Sequence, residues 1–223
     1  MRYKLTVKYD GKNYSGSQKQ PQTKTIQGEL EKALSTLIQT DIKTVFSGRT
    51  DAGVSAMAQV VHFDIPYVSP HLLRNLNKLL PRDICALELT EVEPTFHAQK
   101  SAKSKHYRYE LDAKIDAERA QKALNYLLGE HDFTSFRCAG GSNPYTDCFI
   151  ESAVTDGEVV DIVGNRFLYK MVRTIIGTLL QIEKEDLLPE HMKTVLEAKD
   201  RTKAGKTASP EGLTLIEVTY DNE

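Results

Sequence analysis

No uninterrupted apolar run in the 223 residues approaches the roughly 20 that a membrane helix requires, so membrane insertion is not expected. The first residues, Met1-Arg2-Tyr3-Lys4-Leu5-Thr6-Val7-Lys8, interleave cations with apolar side chains, whereas a secretory signal sets its cations ahead of an apolar block. A cytoplasmic location is the expectation. Cysteine is scarce: Cys85, Cys138 and Cys148 are widely spaced and form no Cys-x-x-Cys pair, which argues for buried or incidental thiols over a zinc or redox motif. His97, His106 and His131 lack metal-ligand spacing, so no metal is implied. Gly205-Lys206-Thr207 lacks the earlier glycine of a phosphate-binding loop, because that position is Asp200, which disfavours a nucleotide hydrolase. An excess of positive charge is missing too. Twenty-nine Lys and Arg face 31 Asp and Glu, a net charge of −2, so any case for nucleic-acid binding has to rest on local clustering.

What is present suits a globular protein, with 40% hydrophobic residues and enough length for one large domain or two small ones. Residues 2 to 9 alternate strictly, Tyr3, Leu5, Val7 and Tyr9 against Arg2, Lys4, Thr6 and Lys8, as a strand buried on one side does. Ile26, Leu30, Ala33, Leu34, Leu37 and Ile38 follow with helical spacing. Strands are expected at Thr44 to Ser47 and around Val61, Phe63 and Ile65. A helix follows Ser69-Pro70 and ends at Pro81, and a strand runs from Ile84 to Val92. The second half repeats the order. It has a strand at Tyr107 to Leu111, a helix capped by Asp116 and stopped by Gly129, and a hairpin turning at Asp156-Gly157. Helices from about Arg166 to Ile182 and Pro189 to Ala198 and a last strand Leu213 to Tyr220 complete it. The expected class is α+β, two similar α/β halves, 1–99 and 100–223, with antiparallel sheets meeting at a central cleft.

The segment Ser47-Gly48-Arg49-Thr50-Asp51-Ala52-Gly53 stands out between strands. Two glycines permit tight turns and small neighbours leave Arg49 and Asp51 able to project. Such a loop can present a carboxylate to a ligand, or Asp51 can simply close the turn through an Asx-type bond; composition does not choose. Cations cluster locally at Lys100, Lys103, Lys105 and Arg108, without an acidic residue among them, and at Lys199, Arg201, Lys203 and Lys206. Arg166, Lys170 and Arg173, spaced i, i+4 and i+7, read as one basic helix face. These are candidate phosphate contacts, or merely solvated surface.

Gly48-Arg49-Thr50-Asp51-Ala52-Gly53-Val54 closely resembles the active-site motif of the TruA family of tRNA pseudouridine synthases. Further matches occur in the same order: Tyr9-Asp10-Gly11 with Tyr14, Gly16 and Gln18; Gln59 to Phe63; Leu80-Pro81 with Asp83-Ile84; Phe96-His97-Ala98; Tyr107-Arg108-Tyr109; Asp132 to Phe136; Met171-Val172-Arg173; and Gly212-Leu213 with Leu215. The resemblance spans almost the whole chain. It implies the pseudouridine synthase fold and conversion of uridine to pseudouridine in the anticodon stem-loop of tRNA, without a cofactor, by a homodimer. The N1 to C1′ bond breaks, the base turns, and C5 joins C1′. Asp51 corresponds to the family's essential Asp, which attacks the nucleoside or takes a proton from the sugar. Arg173 matches the Arg that pairs with it, and Tyr107 matches the Tyr that stacks on uracil and removes the C5 proton. Arg49 matches the Arg that fills the stack when the base flips out. Lys100, Lys103, Lys105, Arg166 and Lys170 are expected on the RNA backbone.

Three positions depart from the pattern: Ser17 where an aromatic residue is usual, Ser55 where His is usual, and Gln99 where Arg is common. None is expected to touch Asp51, Tyr107 or Arg173, and no binding role is carried to them. A non-catalytic RNA-binding module that keeps the basic patches is the competing class.

Overall fold

The computed structural model describes residues 1–141 and 144–221. Among these the first elements are β1 (Arg2–Tyr9), α1 (Ile26–Ile38), β2 (Val45–Phe46), β3 (Ser55–Asp64), α2 (Leu72–Leu79) and β4 (Ile84–Val92). Then come β5 (Ala102–Glu110), α3 (Ala117–Asn125), β6 (Gly129–Asp132), β7 (Asp147–Thr155) and β8 (Val159–Gly164), and last α4 (Met171–Lys184), α5 (Glu190–Ala198) and β9 (Leu213–Tyr220). They form two compact units, Met1–Lys103 with the segment from Thr214, and Ser104–Leu213. The class is α+β with mostly antiparallel strands.

In the first unit β1 buries Tyr3, Leu5, Val7 and Tyr9 and turns its cations and Thr6 outward, so one-sided burial accounts for its alternation. It lies between β3 and β4, antiparallel to both. β3 also carries β2, antiparallel, and at Ser55 and Ala56 it pairs in parallel with Thr214 and Leu215 of β9. Every residue from Gln59 to Phe63 is buried, so β3 is covered on both faces there and its polarity does not alternate cleanly. Thr25 caps α1, its Oγ1 accepting from Gly28 N, and Ile26, Leu30, Ala33, Leu34 and Ile38 form the buried stripe. Gln39, at φ 60°, ends the helix.

The second unit orders its strands β5-β8-β7-β6, all neighbours antiparallel. The hairpin turns where expected. Gly157 has φ 89°, and Asp156 Oδ1 accepts from Glu158 N and Val159 N. α3 starts with Asp116 Oδ1 accepting from Arg119 N, but it ends at Asn125; Gly129, at φ 91°, opens β6 instead of stopping the helix. Phe133, Phe136, Leu124, Leu127, Ile150 and Ile162 make the core.

The helix expected from about Arg166 begins only at Met171. Lys170 sits at φ 59° in the left-handed region, which breaks helical continuity, and residues 165 to 169 are stitched elsewhere. Asn165 N donates to Phe149 O, and Tyr169 O accepts from Cys138 N. Arg166, Lys170 and Arg173 therefore do not share a helix face. Along α4, Gly177 lets the chain from Gly205 to Ala208 lie against the helix backbone: a Cβ at Gly177 would stand 1.6 Å from Lys206 O. Gly205-Lys206-Thr207 is thus a packing element, with Gly205 N donating to Thr178 Oγ1 at 3.0 Å.

Candidate active site

The loop joining β2 to β3 is held from below by buried polar groups. Ser47, fully buried, donates from its hydroxyl to Gln59 Oε1 at 2.6 Å and from its backbone N to Val60 O at 2.8 Å. Gln59, equally buried, donates through Nε2 to Gly48 O at 3.1 Å and to Tyr9 Oη at 3.3 Å. Tyr9 Oη in turn meets Thr50 Oγ1 at 2.8 Å. Burial pushes the Tyr9 phenol up to about 12 against the opposing pull of its bonds with Thr50 and Gln59, so it stays a neutral hydrogen-bonding strut at neutral pH.

Thr50 is buried and pinned at all three of its polar groups. Its N donates to Ser17 Oγ at 2.8 Å, its O accepts from Ser17 N at 3.1 Å, and its hydroxyl meets Tyr9. Arg49 on one side is exposed, while Asp51 on the other is half-buried, with its carbonyl accepting from Val54 N at 3.2 Å. Gly53, at φ 85°, completes the turn. The geometry offers an exposed guanidinium and a half-buried carboxylate on a loop whose intervening residue cannot move freely.

In the second unit, β5 begins at Ala102, earlier than the expected Tyr107, and its two-residue period sorts the local cations. Lys105 and Tyr107 share one face. His106 and Arg108 take the other and both bind Asp161, His106 Nε2 to Oδ1 at 2.6 Å and Arg108 by two bonds of 3.0 Å. Arg108 is therefore committed to an ion pair within its sheet. Tyr107 is buried and packs edge-on against Phe167, ring centroids 5.1 Å apart. Burial first, and then the Arg166 charge, lowers the Lys105 ammonium below its ordinary pKa. Arg166 donates to Tyr145 O. Lys170 Nζ lies 5.0 Å from the centre of the Tyr169 ring, and Arg173 Nε donates to Ala208 O at 2.8 Å.

Of the cations in the first unit, Lys100 is exposed on a turn, its backbone N donating to His97 Nδ1 at 3.3 Å. Lys103 pairs with Asp221 at 2.8 Å on the surface. In the later basic set Lys199 pairs with Asp132, and Arg201 donates to Ala204 O and Thr207 Oγ1. No group of His, Cys, Asp and Glu side chains that could hold a metal ion occurs among the described residues, and no helix among them is long and apolar enough to cross a membrane.

Sequence reasoning placed Asp51 on its loop but missed what holds it. Tyr9, Gln59 and Ser17 are the supports. A signal existed for Gln59, an uncharged polar residue inside the β-branched run Gln59-Val60-Val61. Ser17, one of the three departures from the pattern, binds the residue next to Asp51, and Ser55 Oγ accepts from Gly11 N at 3.1 Å on the loop's far side.

A buried polar cradle under the Gly-Arg-Thr-Asp-Ala-Gly loop is the setting in which likeness to known proteins carries weight. The family model described as tRNA pseudouridine synthase matches residues 5–99 and 123–221, and the chain belongs to that family. Its relatives include tRNA pseudouridine synthase A of Anoxybacillus flavithermus, 42% identical over 246 residues, covering 99% of each chain. The enzyme of the same name from Bacillus pumilus is 41% identical over 251 residues, and that from Bacillus subtilis 40% over 250, each covering 100% of both chains.

Proposed function

We propose that this chain is an isomerase that converts uridine to pseudouridine in the anticodon stem-loop of tRNA, working in the cytoplasm as a homodimer and without a cofactor. The observation that carries the reading is the intact loop 48 to 54, with Thr50 tied down and Asp51 left half-exposed beside an exposed Arg49, in a chain matched by the family along most of its length. A module that only bound RNA would need no such cradle beneath one carboxylate.

In this reading the uridine leaves the stack before reaction, because the reacting atoms of a stacked base are shielded, and Arg49 fills the vacated place. Asp51 then acts on the nucleoside, by bonding to it or by taking a proton from the sugar, and the N1 to C1′ bond opens. The base turns and C5 bonds to C1′. The C5 proton is removed by Tyr107 and N1 gains one, so product and substrate are isomers. Tyr107 and Arg173 belong to the second unit and enter the proposal through their match to the family motifs. Lys100, Lys103, Lys105, Arg166 and Lys170 are proposed on the RNA backbone, where they supply affinity and orientation but no sequence reading.

Release of tritium from C5-labelled uridine in tRNA tests the reaction. Release by the wild type is expected; tight tRNA binding with no release would leave the non-catalytic module. Deuterium at C2′ of the uridine separates the two roles of Asp51, since only proton removal from the sugar carries a primary isotope effect there. Light scattering reads the dimer.

A further inference from the structure

We infer that Ser17 is a positioning residue for Asp51, fixing the Thr50 peptide that precedes the carboxylate; the inference rests on the reaction proposed above. Ser17 is 1% exposed, and both of its hydrogen bonds to the loop go to a single residue. Its hydroxyl oxygen accepts from Thr50 N at 2.8 Å and its own N donates to Thr50 O at 3.1 Å, a two-point clamp on both faces of one residue. The clamp is anchored. Gln27 N, in the first turn of α1, donates to Ser17 O at 2.9 Å, and Ile26 N donates to Gly16 O at 3.3 Å, so the start of α1 carries residues 16 and 17 as a bracket. Gly16 is required for the approach: it has φ 95°, and a Cβ there would stand 2.9 Å from Thr50 O.

With the third group of Thr50 fixed by Tyr9, the Cα of Asp51 follows directly on a residue held at its N–H, its carbonyl and its hydroxyl. A second serine closes the other end. Ser55 Oγ accepts from Gly11 N, and Gly11 has no room for a side chain, since a Cβ would meet Val54 O at 2.0 Å. Ser17 and Ser55 thus hold the loop from its two ends through their own side chains. Removal of the Ser17 hydroxyl leaves the bond from Ser17 N to Thr50 O intact. The loop then stays folded, held at the Thr50–Asp51 carbonyl, while the Arg49–Thr50 peptide, whose N–H loses its acceptor, gains a rocking motion about the Thr50 Cα that shifts the carboxylate. Displacements of about 1 Å can cost on the order of 100-fold in rate.

The test compares Ser17→Ala with the wild type by C5 tritium release under single-turnover conditions, with tRNA affinity, melting temperature and hydrogen exchange at the Thr50 amide measured alongside. The expected result is a single-turnover rate lowered about ten- to 100-fold, tRNA Kd within about threefold, and lost protection at Thr50. Ser17→Thr, which keeps the hydroxyl, should recover part of the rate. Ile42→Val, a buried change in the same unit, supplies a melting-temperature loss without a rate loss. A Ser17→Ala protein with the wild-type single-turnover rate, or one whose rate loss is matched by Ile42→Val at equal melting temperature, overturns the inference. Should Ser17→Ala fail to fold, Ser17→Cys, whose thiol is a poor acceptor, takes its place, and a wild-type rate there together with lost protection at the Thr50 amide overturns it equally. A wild type that releases no tritium refutes the reaction itself; an active wild type with an equally active Ser17→Ala refutes only the positioning role.

Discussion

The loop from Ser47 to Val54 and the segment from Asn165 to Arg173 both carry a basic residue proposed to meet RNA, yet their signals behave oppositely. In the first, two glycines and small residues suggest only tight turns, but distant residues Tyr9, Ser17 and Gln59 hold the Ser47 hydroxyl, the Gly48 carbonyl and all three polar groups of Thr50. In the second, cations at i, i+4 and i+7 suggest a regular helix, but Lys170 takes a left-handed conformation and the helix starts one residue later. Local periodicity is persuasive where the chain is free to follow it. It fails where tertiary hydrogen bonds decide the backbone.

The strongest test of the first region is Asp51→Asn or Asp51→Ala. Either should abolish tritium release while tRNA affinity stays within about tenfold, because chemistry and phosphate contact draw on different groups. Near-normal release would remove Asp51 from the mechanism and leave the cradle as scaffolding alone.

Acid should strain the first unit next. His62 is buried in β3, its Nδ1 accepting from Ala98 N at 3.1 Å. Burial foremost, then the charges of Arg2 and His97, hold it down to about 4, with Asp64 opposing. A depressed pKa means that the unfolded chain takes up a proton before the folded one does. Stability is therefore whole above pH 6.5 and falls as pH drops from 6.5 toward 4, by roughly 3 kcal/mol in all. Denaturant titrations across that range should show the loss, and His62→Gln should flatten it; an equal slope in the variant would assign the effect to other groups.

Two glycines set the regions side by side. Gly11→Ala forces a Cβ against Val54 O, and Gly177→Ala forces one against Lys206 O, so each should cost about 1–3 kcal/mol in thermal or denaturant unfolding. Gly11→Ala should also reduce turnover by the molecules that remain folded, because it presses on the loop itself. If both lowered turnover alike, loop geometry would not be the distinguishing feature.

The smallest effects concern surface charge. Lys100→Ala should weaken tRNA binding and reduce the salt slope by about 1. Lys103→Ala should do less, since Lys103 gives up an exposed pair with Asp221 worth about 0–1 kcal/mol when it turns to phosphate. Salt-dependent filter binding orders the two, and equal slopes would argue that the Asp221 pair is of no account.

Much of the scaffold was legible because one-sided burial writes itself into alternation. β1, β4 and β9 and helix α1 lie where their patterns place them. β3 runs longer than expected since it is covered on both faces, and β6, only Gly-Glu-His-Asp, has no apolar face to read. For the candidate site, the loop that carries Asp51 and Arg49 was legible through the motif. Their supports were not, because a hydrogen bond between Ser17 and Thr50 leaves no periodic trace across 33 positions. The run of cations near Tyr107 looked like one patch, and strand geometry split it between two faces.

The parallel pairing of β3 with β9 places the two strands far apart in time as well as in sequence. During synthesis at about 5–20 residues per second, on the order of ten seconds pass between the emergence of Ser55 and that of Thr214, which becomes its neighbour. Until then the strand leading out of the Asp51 loop has an open edge at its first residues, exposed to chance partners. A nascent chain would therefore carry the whole motif yet lack a finished frame around it, so modification of RNA would begin only once translation of β9 is complete.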